Sequence, residues 1–254
     1  MISGPGCNTA TRHLRSRDEN LSNTVPVLAR VLNHVLDMVL PQECYLCGAP
    51  SGAQPVCAAC QAELPLHPVS VCPVCALPTA EGTVCGRCLS AAPAFEATRA
   101  AFQYAFPLDV LVQALKYRHR LSLAGFFASR LTLPADVDLI LPMPLHPRRL
   151  AGRGFNQAME IARPLARARG LPLELSKVVR VRDTPTQAQL GREERVRNLR
   201  GAFACDRRLD GMCVLVIDDV MTTGASLDEL ARCLKASGAA RVENCVVART
   251  PTPL

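Results

Sequence analysis

The run Val214-Leu-Val-Ile-Asp-Asp-Val-Met-Thr-Thr-Gly-Ala-Ser226 constrains the fold of this 254-residue chain more than any other. Val214 to Ile217 are consecutively apolar, the pattern of a short strand covered on both faces within a parallel sheet. Asp218 and Asp219 follow at the C-terminal end of that strand, the edge at which open α/β sheets bind ligands, and adjacent carboxylates can accept hydrogen bonds from vicinal sugar hydroxyls. Val220 and Met221 then lead into Thr222, Thr223, Gly224, Ala225 and Ser226, which offer three hydroxyls, a glycine that lets the backbone approach closely, and free N–H groups opening a helix over 227–236. Such donors at the positive end of a helix dipole suit a phosphate dianion. The lysine of the nucleotide-binding pattern G-x-x-x-x-G-K-[ST] is missing, which argues against a P-loop. Strand, acid pair, loop and helix together imply a sugar phosphate.

This segment resembles the phosphoribosyl pyrophosphate (PRPP) loop of the type I phosphoribosyltransferases. The resemblance implies that Asp218 and Asp219 hold the ribose hydroxyls and that Thr222, Thr223, Gly224, Ala225 and Ser226 cradle the 5-phosphate, with Val220 and Met221 also within the PRPP-binding motif. It further implies Mg²⁺ bound together with PRPP, and a mechanism of positioning and charge stabilisation that needs no side-chain nucleophile. Turnover and the acceptor stay open, because the motif marks where PRPP binds and not what attacks it.

Eight of the thirteen cysteines form four C-x-x-C pairs: Cys44/Cys47, Cys57/Cys60, Cys72/Cys75 and Cys85/Cys88. Residues 44–60 and 72–88 align without gaps, sharing Pro50 with Pro78 and Val56 with Val84, an internal repeat of period 28. Two knuckles of this type complete a tetrahedral S4 site with no open position for water, so structural Zn²⁺ is expected, as one or two ions. Pairing within a repeat and pairing across repeats are both open. A disulfide framework calls for an oxidising compartment, and the chain shows no signal peptide. Four copies in a stretch punctuated by Pro and Gly also argue against a redox-active motif. A segment so poor in large apolar side chains needs metal to fold.

Residues 1–24 mix charges with Ser, Asn and Thr and are expected to be disordered. Residues 25–40 carry Val27, Leu28, Val31, Leu32, Val35, Leu36, Val39 and Leu40 at helical spacing, an amphipathic helix too short to span a bilayer. With the cysteine repeats this helix makes up a module over 25–92, followed by a larger domain over 93–254. In that domain the expected order is a strand at 98–106, helices at 108–116 and 121–131, a strand at 137–141, a loop at 142–157, a helix to about residue 168, a strand at 178–181, an exposed segment at 182–201, the acid-pair strand and a last strand at 242–248. The alternation predicts an α/β fold, a mostly parallel sheet flanked by helices, with a small N-terminal zinc-ribbon module.

Two loops narrow the resemblance. L-P-M-P-L-H-P-R-R-L-x-x-R-G-F-N-Q-A at 141–158 and T-P-T-Q-A-x-L-x-R-x-E-R-x-x-N-L-R-G-A-F at 184–203 are patterns of the ComF family. With the cysteine ribbons, nearly all of the chain from residue 25 onward is similar to that family. It includes bacterial competence proteins and relatives linked to the use of DNA as nutrient. The resemblance implies PRPP and DNA-uptake proteins as partners. With no transmembrane span or signal in the sequence, a cytoplasmic site of action is expected, at the inner face of the membrane if a transport complex recruits the protein.

Charge supports a phosphate-rich ligand. Residues 141–200 hold thirteen Lys plus Arg against five Asp plus Glu, a net of +8, whereas the whole chain carries +7. Arg148 and Arg149 could grip pyrophosphate oxygens, with Lys116 at the end of an apolar helix adding to that grip. Arg192, Arg195, Arg197 and Arg200 fall where the resemblance implies a mobile lid. Single-stranded DNA is the competing ligand. Against it stands the scarcity of stacking surfaces: no Trp, three Tyr and seven Phe, of which only Tyr117 and Phe155 adjoin basic clusters.

Overall fold

A computed structural model describes residues 42–183 and 199–251 of the chain. The expected N-terminal tail, the amphipathic helix at 25–40 and Arg192 lie outside the described residues. The cysteine-rich region holds a short hairpin, β1 (Gln42–Glu43) with β2 (Pro50–Gly52), and two single-turn helices, α1 (Ala58–Ala62) and α2 (Gly86–Ser90). Then come β3 (Ala97–Gln103), α3 (Leu108–Tyr117), α4 (Ser122–Ala128), β4 (Leu139–Pro142), α5 (Pro147–Arg153) and α6 (Gln157–Arg169). A hairpin of β5 (Val178–Arg180) and β6 (Phe203–Cys205) precedes the last unit, β7 (Cys213–Met221), α7 (Ala225–Ala236) and β8 (Arg241–Arg249).

β3, β8, β7 and β4 make one parallel sheet in that order. Strand alternation sorts the core into two layers. Ile140, Leu215, Ile217 and Cys245 face Leu111 and Leu115 of α3, Phe127 of α4 and Ile161 of α6. Leu139, Leu141, Val214, Val216 and Val246 face Leu227, Leu230 and Leu234 of α7. Each such side chain, removed from water, contributes about 1.5–3 kcal/mol. With helices on both faces the central strands read as unbroken apolar runs, and the ligand edge of the sheet is left to polar residues.

The cysteine ribbons grip this sheet from both sides. Cys44, Val56 and Leu64 of the first repeat join the α3 and α4 layer, while Cys72, Cys75, Leu77 and Cys88 of the second join the α7 layer. The residues between them run along the outer edge of β3. Gln103 N donates to Pro65 O at 2.8 Å, His67 N to Ala101 O at 3.0 Å and Thr98 N to Pro73 O at 3.1 Å, with Leu66 bridged antiparallel to Phe102. That edge would otherwise present unpaired peptide groups, a template for association.

Three elements depart from the sequence expectations. The loop at 142–157 contains helix α5, because Pro147 at its first turn, His146 accepting from Arg148 N at 3.3 Å and the left-handed Gly154 (φ 81°) supply its start and stop. β7 continues through Asp218 to Met221 because β8 pairs with it as far as Met221↔Arg249. β6 has no clear periodic signal in its three residues and forms by pairing with β5. Among the described residues no helix is long and apolar enough to cross a membrane.

Candidate functional site

β7 carries Asp218 and Asp219 to the ligand edge of the sheet, and the chain turns at once into the loop 222–224 and the first turn of α7. Asp219 N donates to Asp218 Oδ1 at 2.9 Å and Val220 N to Asp219 Oδ1 at 2.6 Å, so the backbone orients both carboxylates. Gly224 stands at the N-cap of α7 with φ 82°, and a Cβ there would come within 2.5 Å of the Met221 side chain. Glycine is therefore favoured by conformation, while the Met221 side-chain end would have to move to admit a Cβ. No side chain of the N-cap residue caps α7, while Thr223 Oγ1 accepts from Ala225 N at 3.3 Å. The arrangement is a cluster of backbone N–H groups beside two carboxylates, suited to a ligand with phosphate at one end and hydroxyls at the other.

Lys116 comes to this site from α3. Its Nζ lies 2.9 Å from Asp219 Oδ2, with Asp219 only 4% exposed. Burial disfavours the Lys116 charge, but the Asp219 carboxylate, helped by Asp218, outweighs that and raises its pKa above the ordinary value. Burial, together with the neighbouring Asp219 charge, pushes Asp218 up to about 7, against the pull of Lys116 and Arg180. Lys116 thus faces the acid pair. Arg149 is 3.4 Å from Asp183, which is also 3.9 Å from His146 Nδ1, and Arg148 is exposed on α5. Arg180 was not singled out in the sequence. It is 8% exposed, with its guanidinium 5.5 Å from the Phe203 ring. A signal was present in Val178-Val-Arg180, where the first and third residues share the buried side of a strand.

The eight paired cysteines gather as two tetrads, Cys44/Cys47/Cys57/Cys60 and Cys72/Cys75/Cys85/Cys88, whose sulfurs lie within 4.8 Å of one another in each. Pairing is therefore within repeats. A Zn–S bond of about 2.3 Å in a tetrahedron requires sulfurs about 3.8 Å apart. Cys47 and Cys57 are 3.7 Å apart and Cys75 and Cys85 3.6 Å, so these residues fit the ion. Burial opposes ionisation of Cys44 and Cys72, yet the backbone N–H groups of each knuckle prevail and hold them at about 6 and about 7. These donors include Cys85 N, 3.3 Å from Cys72 Sγ. Cys44 and Cys72 thus supply the thiolate form zinc takes most readily, whereas hydrogen bonding with Cys47 raises Cys60 and burial raises Cys75 and Cys88.

Beside the acid pair, tertiary structure assembles a second surface. The residues after Lys116 meet the first cysteine knuckle and the end of α5. Arg120 lies 5.6 Å from the Tyr45 ring centroid, Arg153 lies 5.3 Å from that of Tyr117, and the His119 and Phe155 rings are 5.4 Å apart. Arg118 Nη1 donates to Tyr45 Oη at 3.4 Å, and His119 Nε2 meets Arg153 O at 3.0 Å. Tyr117 is 68% exposed, so its ring is available for stacking. Sequence reading found Tyr117 and Phe155 beside basic residues but not Tyr45, which lies 73 residues from Arg118.

Residues 35–89 match the double zinc ribbon domain family, and residues 150–253 match the phosphoribosyl transferase domain family. The chain is 34% identical over 227 residues to the DNA utilization protein YhgH of Salmonella typhi, across 84% of this chain and 99% of that one. It is 31% identical over 180 residues to competence protein F of Haemophilus influenzae, across 65% and 77% of the two chains. Against competence protein ComFC of Bacillus subtilis it is 27% identical over 197 residues, across 73% and 80%. Cysteine ribbons followed by a phosphoribosyltransferase-type sheet, matched over nearly the whole length of its YhgH relative, make this chain a member of the ComF family.

Proposed function

We propose that this protein binds PRPP with Mg²⁺ and acts in the uptake or utilisation of DNA in the cytoplasm. The observation that carries the proposal is the continuity of β7, loop and α7, which brings two oriented carboxylates and a glycine-centred cluster of N–H groups to one sheet edge. In this reading Asp218 and Asp219 accept from the ribose hydroxyls, and residues 222–226 hold the 5-phosphate. Arg148 and Arg149 lie on the pyrophosphate side. Bound Mg²⁺ would neutralise pyrophosphate charge. Lys116, 2.9 Å from Asp219, is the resident cation of the acid pair and supplies it with a counter-charge.

Calorimetry of PRPP and Mg²⁺ with the zinc-loaded chain tests this. Saturable binding is expected in the wild type and a loss beyond tenfold in Asp218→Asn with Asp219→Asn, since charge-assisted hydrogen bonds contribute about 1.5–3 kcal/mol each. Wild-type protein that fails to bind would refute the reading. A pH series adds a second check. Asp218 is protonated below about 7, so affinity is expected to rise from pH 6 to pH 8 and then level off, and Asp218→Asn should flatten the profile. An affinity independent of pH in the wild type would exclude Asp218 from the contact.

The cluster of Tyr45, Tyr117 and Phe155 with Arg118, His119, Arg120 and Arg153 supports a second activity, binding of single-stranded DNA. Stacked rings among cations are the usual means of holding a single strand without sequence preference. Tyr117→Ala is expected to weaken an oligonucleotide of mixed sequence by about 1–3 kcal/mol, with binding that falls steeply with salt. Fluorescence anisotropy in which Tyr117→Ala matches the wild type would remove this surface from consideration.

A further inference from the structure

The carbonyls of Met221, Thr222 and Thr223 are all held from the side of the second cysteine tetrad. Arg249, the last residue of β8, is 2% exposed. Its Nη1 donates to Met221 O at 3.0 Å, to Thr250 O at 2.8 Å and, by a short contact, to Thr222 O. From the same guanidinium, Nε donates to the carbonyl of the zinc-site residue Cys75 at 2.9 Å. Arg87 sits between the ligands Cys85 and Cys88 and donates Nη2 to Thr223 O at 3.3 Å. Beyond the ribbon, Ala94 N donates to Asp228 Oδ1 in the first turn of α7 at 2.7 Å.

These bonds act on the phosphate cradle through peptide geometry. In a planar trans peptide the N–H points opposite to the carbonyl. Holding the carbonyls of residues 221, 222 and 223 toward the ribbon turns the N–H groups of Thr222, Thr223 and Gly224 away from it. That is the orientation an anion-binding loop needs. Thr250 N, donating to Met221 O at 3.0 Å, shares the first of these carbonyls with Arg249, and the two arginines hold the other two from outside the loop. Both arginines depend on the second tetrad. Arg249 has the Cys75 carbonyl as one of its acceptors, and Arg87 is carried on the backbone of a knuckle that four bound sulfurs hold in place. The first tetrad lies on the opposite face of the sheet, and the described residues show no hydrogen bond from it to the loop.

We infer that the second tetrad sets the phosphate loop through the positioning residues Arg249 and Arg87, so that metal in that tetrad and phosphate in the loop strengthen each other's binding. This rests on the PRPP reading of the loop. Linkage makes the effect reciprocal: whatever factor zinc contributes to phosphate affinity, phosphate contributes to zinc affinity.

The test uses the full chain with both tetrads loaded. Zinc is withdrawn by a competing chelator with and without PRPP and Mg²⁺, and the emptied sites are identified by mass spectrometry of alkylated cysteines. PRPP is expected to protect Cys72, Cys75, Cys85 and Cys88 about tenfold while leaving Cys44, Cys47, Cys57 and Cys60 unchanged. Hydrogen exchange without ligand supplies an independent readout, with amides of 222–224 exchanging faster once the second tetrad empties. Arg249→Lys, which keeps charge but loses the fork, and Arg87→Ala should each retain metal, lose the protection difference and speed exchange at 222–224. Arg87 is partly exposed, so its variant decides the matter if Arg249→Lys does not fold. Equal protection of both tetrads in protein that binds PRPP, or unchanged exchange at 222–224 after the second tetrad empties, would overturn the inference. If the wild type binds no PRPP, the functional reading fails. Exchange at 222–224 still decides the coupling, faster supporting it and unchanged refuting it.

Discussion

Removal of zinc from both tetrads is expected to unfold residues 42–90 and to destabilise the sheet they grip. A structural zinc site of this type contributes about 10–16 kcal/mol of apparent binding free energy, most of which is folding free energy in a segment with so small a core. The consequences spread because the ribbons are not appended at one point. Val56 and Leu64 belong to the layer of α3 and α4, while Leu77 and Phe95 belong to the layer of α7. Residues 65–73 cover the outer edge of β3. Chelation should therefore lower the unfolding temperature, make the cysteines of both tetrads reactive, and produce association through the uncovered edge at micromolar protein. Thermal unfolding, thiol titration and light scattering before and after chelation measure the three effects. A chain that keeps its melting temperature after losing both metals would show that the ribbons fold by packing alone.

Replacing Lys116 by Met is expected to cost about 3–5 kcal/mol, the penalty for removing one partner of a buried ion pair and leaving the other charge uncompensated. Asp219 is 4% exposed, and its Oδ2 makes no hydrogen bond beyond the 2.9 Å contact with Lys116. The sign with pH follows from protonation. The Lys116 pKa is raised, so its contribution is present throughout the neutral range and is lost only as pH climbs through that raised value in strongly alkaline solution. In the variant the acid pair lacks its cation, and the loss is largest at pH 8, where Asp218 is ionised beside Asp219. It shrinks toward pH 5 as Asp218 takes up its proton. Lys116→Met combined with Asp219→Asn should recover most of the stability. Urea unfolding of the three proteins at pH 5 and pH 8 checks this, and a single variant as stable as the wild type at pH 8 would remove Lys116 from the balance.

The acid pair and its loop were legible because everything they need is contiguous: apolar residues for a buried strand, two carboxylates, a glycine and hydroxyls at a helix start. The tetrads were legible in the same way, since C-x-x-C spacing forms a knuckle locally. Pairing within repeats was not, because both pairings satisfy the spacing and only the path of the chain brings Cys47 to 3.7 Å from Cys57. Helix α5 was missed because its signals are end signals, Pro147 and Gly154, around a stretch with no buried residue to give it a period. β6 was missed because a three-residue strand is made by its partner β5.

The class of fold, the two metal-binding repeats and the chemistry of the sheet edge are local in origin, since each is written in neighbouring residues by spacing and side-chain type. Only the tertiary structure decided that Lys116 neutralises Asp219, that Tyr45 meets Arg118 and Arg120, that the ribbons straddle the sheet, and that Arg249 ties the phosphate loop to Cys75. Each of these joins residues far apart in the chain. Charge and hydrogen-bond partners at such separations are chosen by which faces pack together, and no local periodicity records that choice.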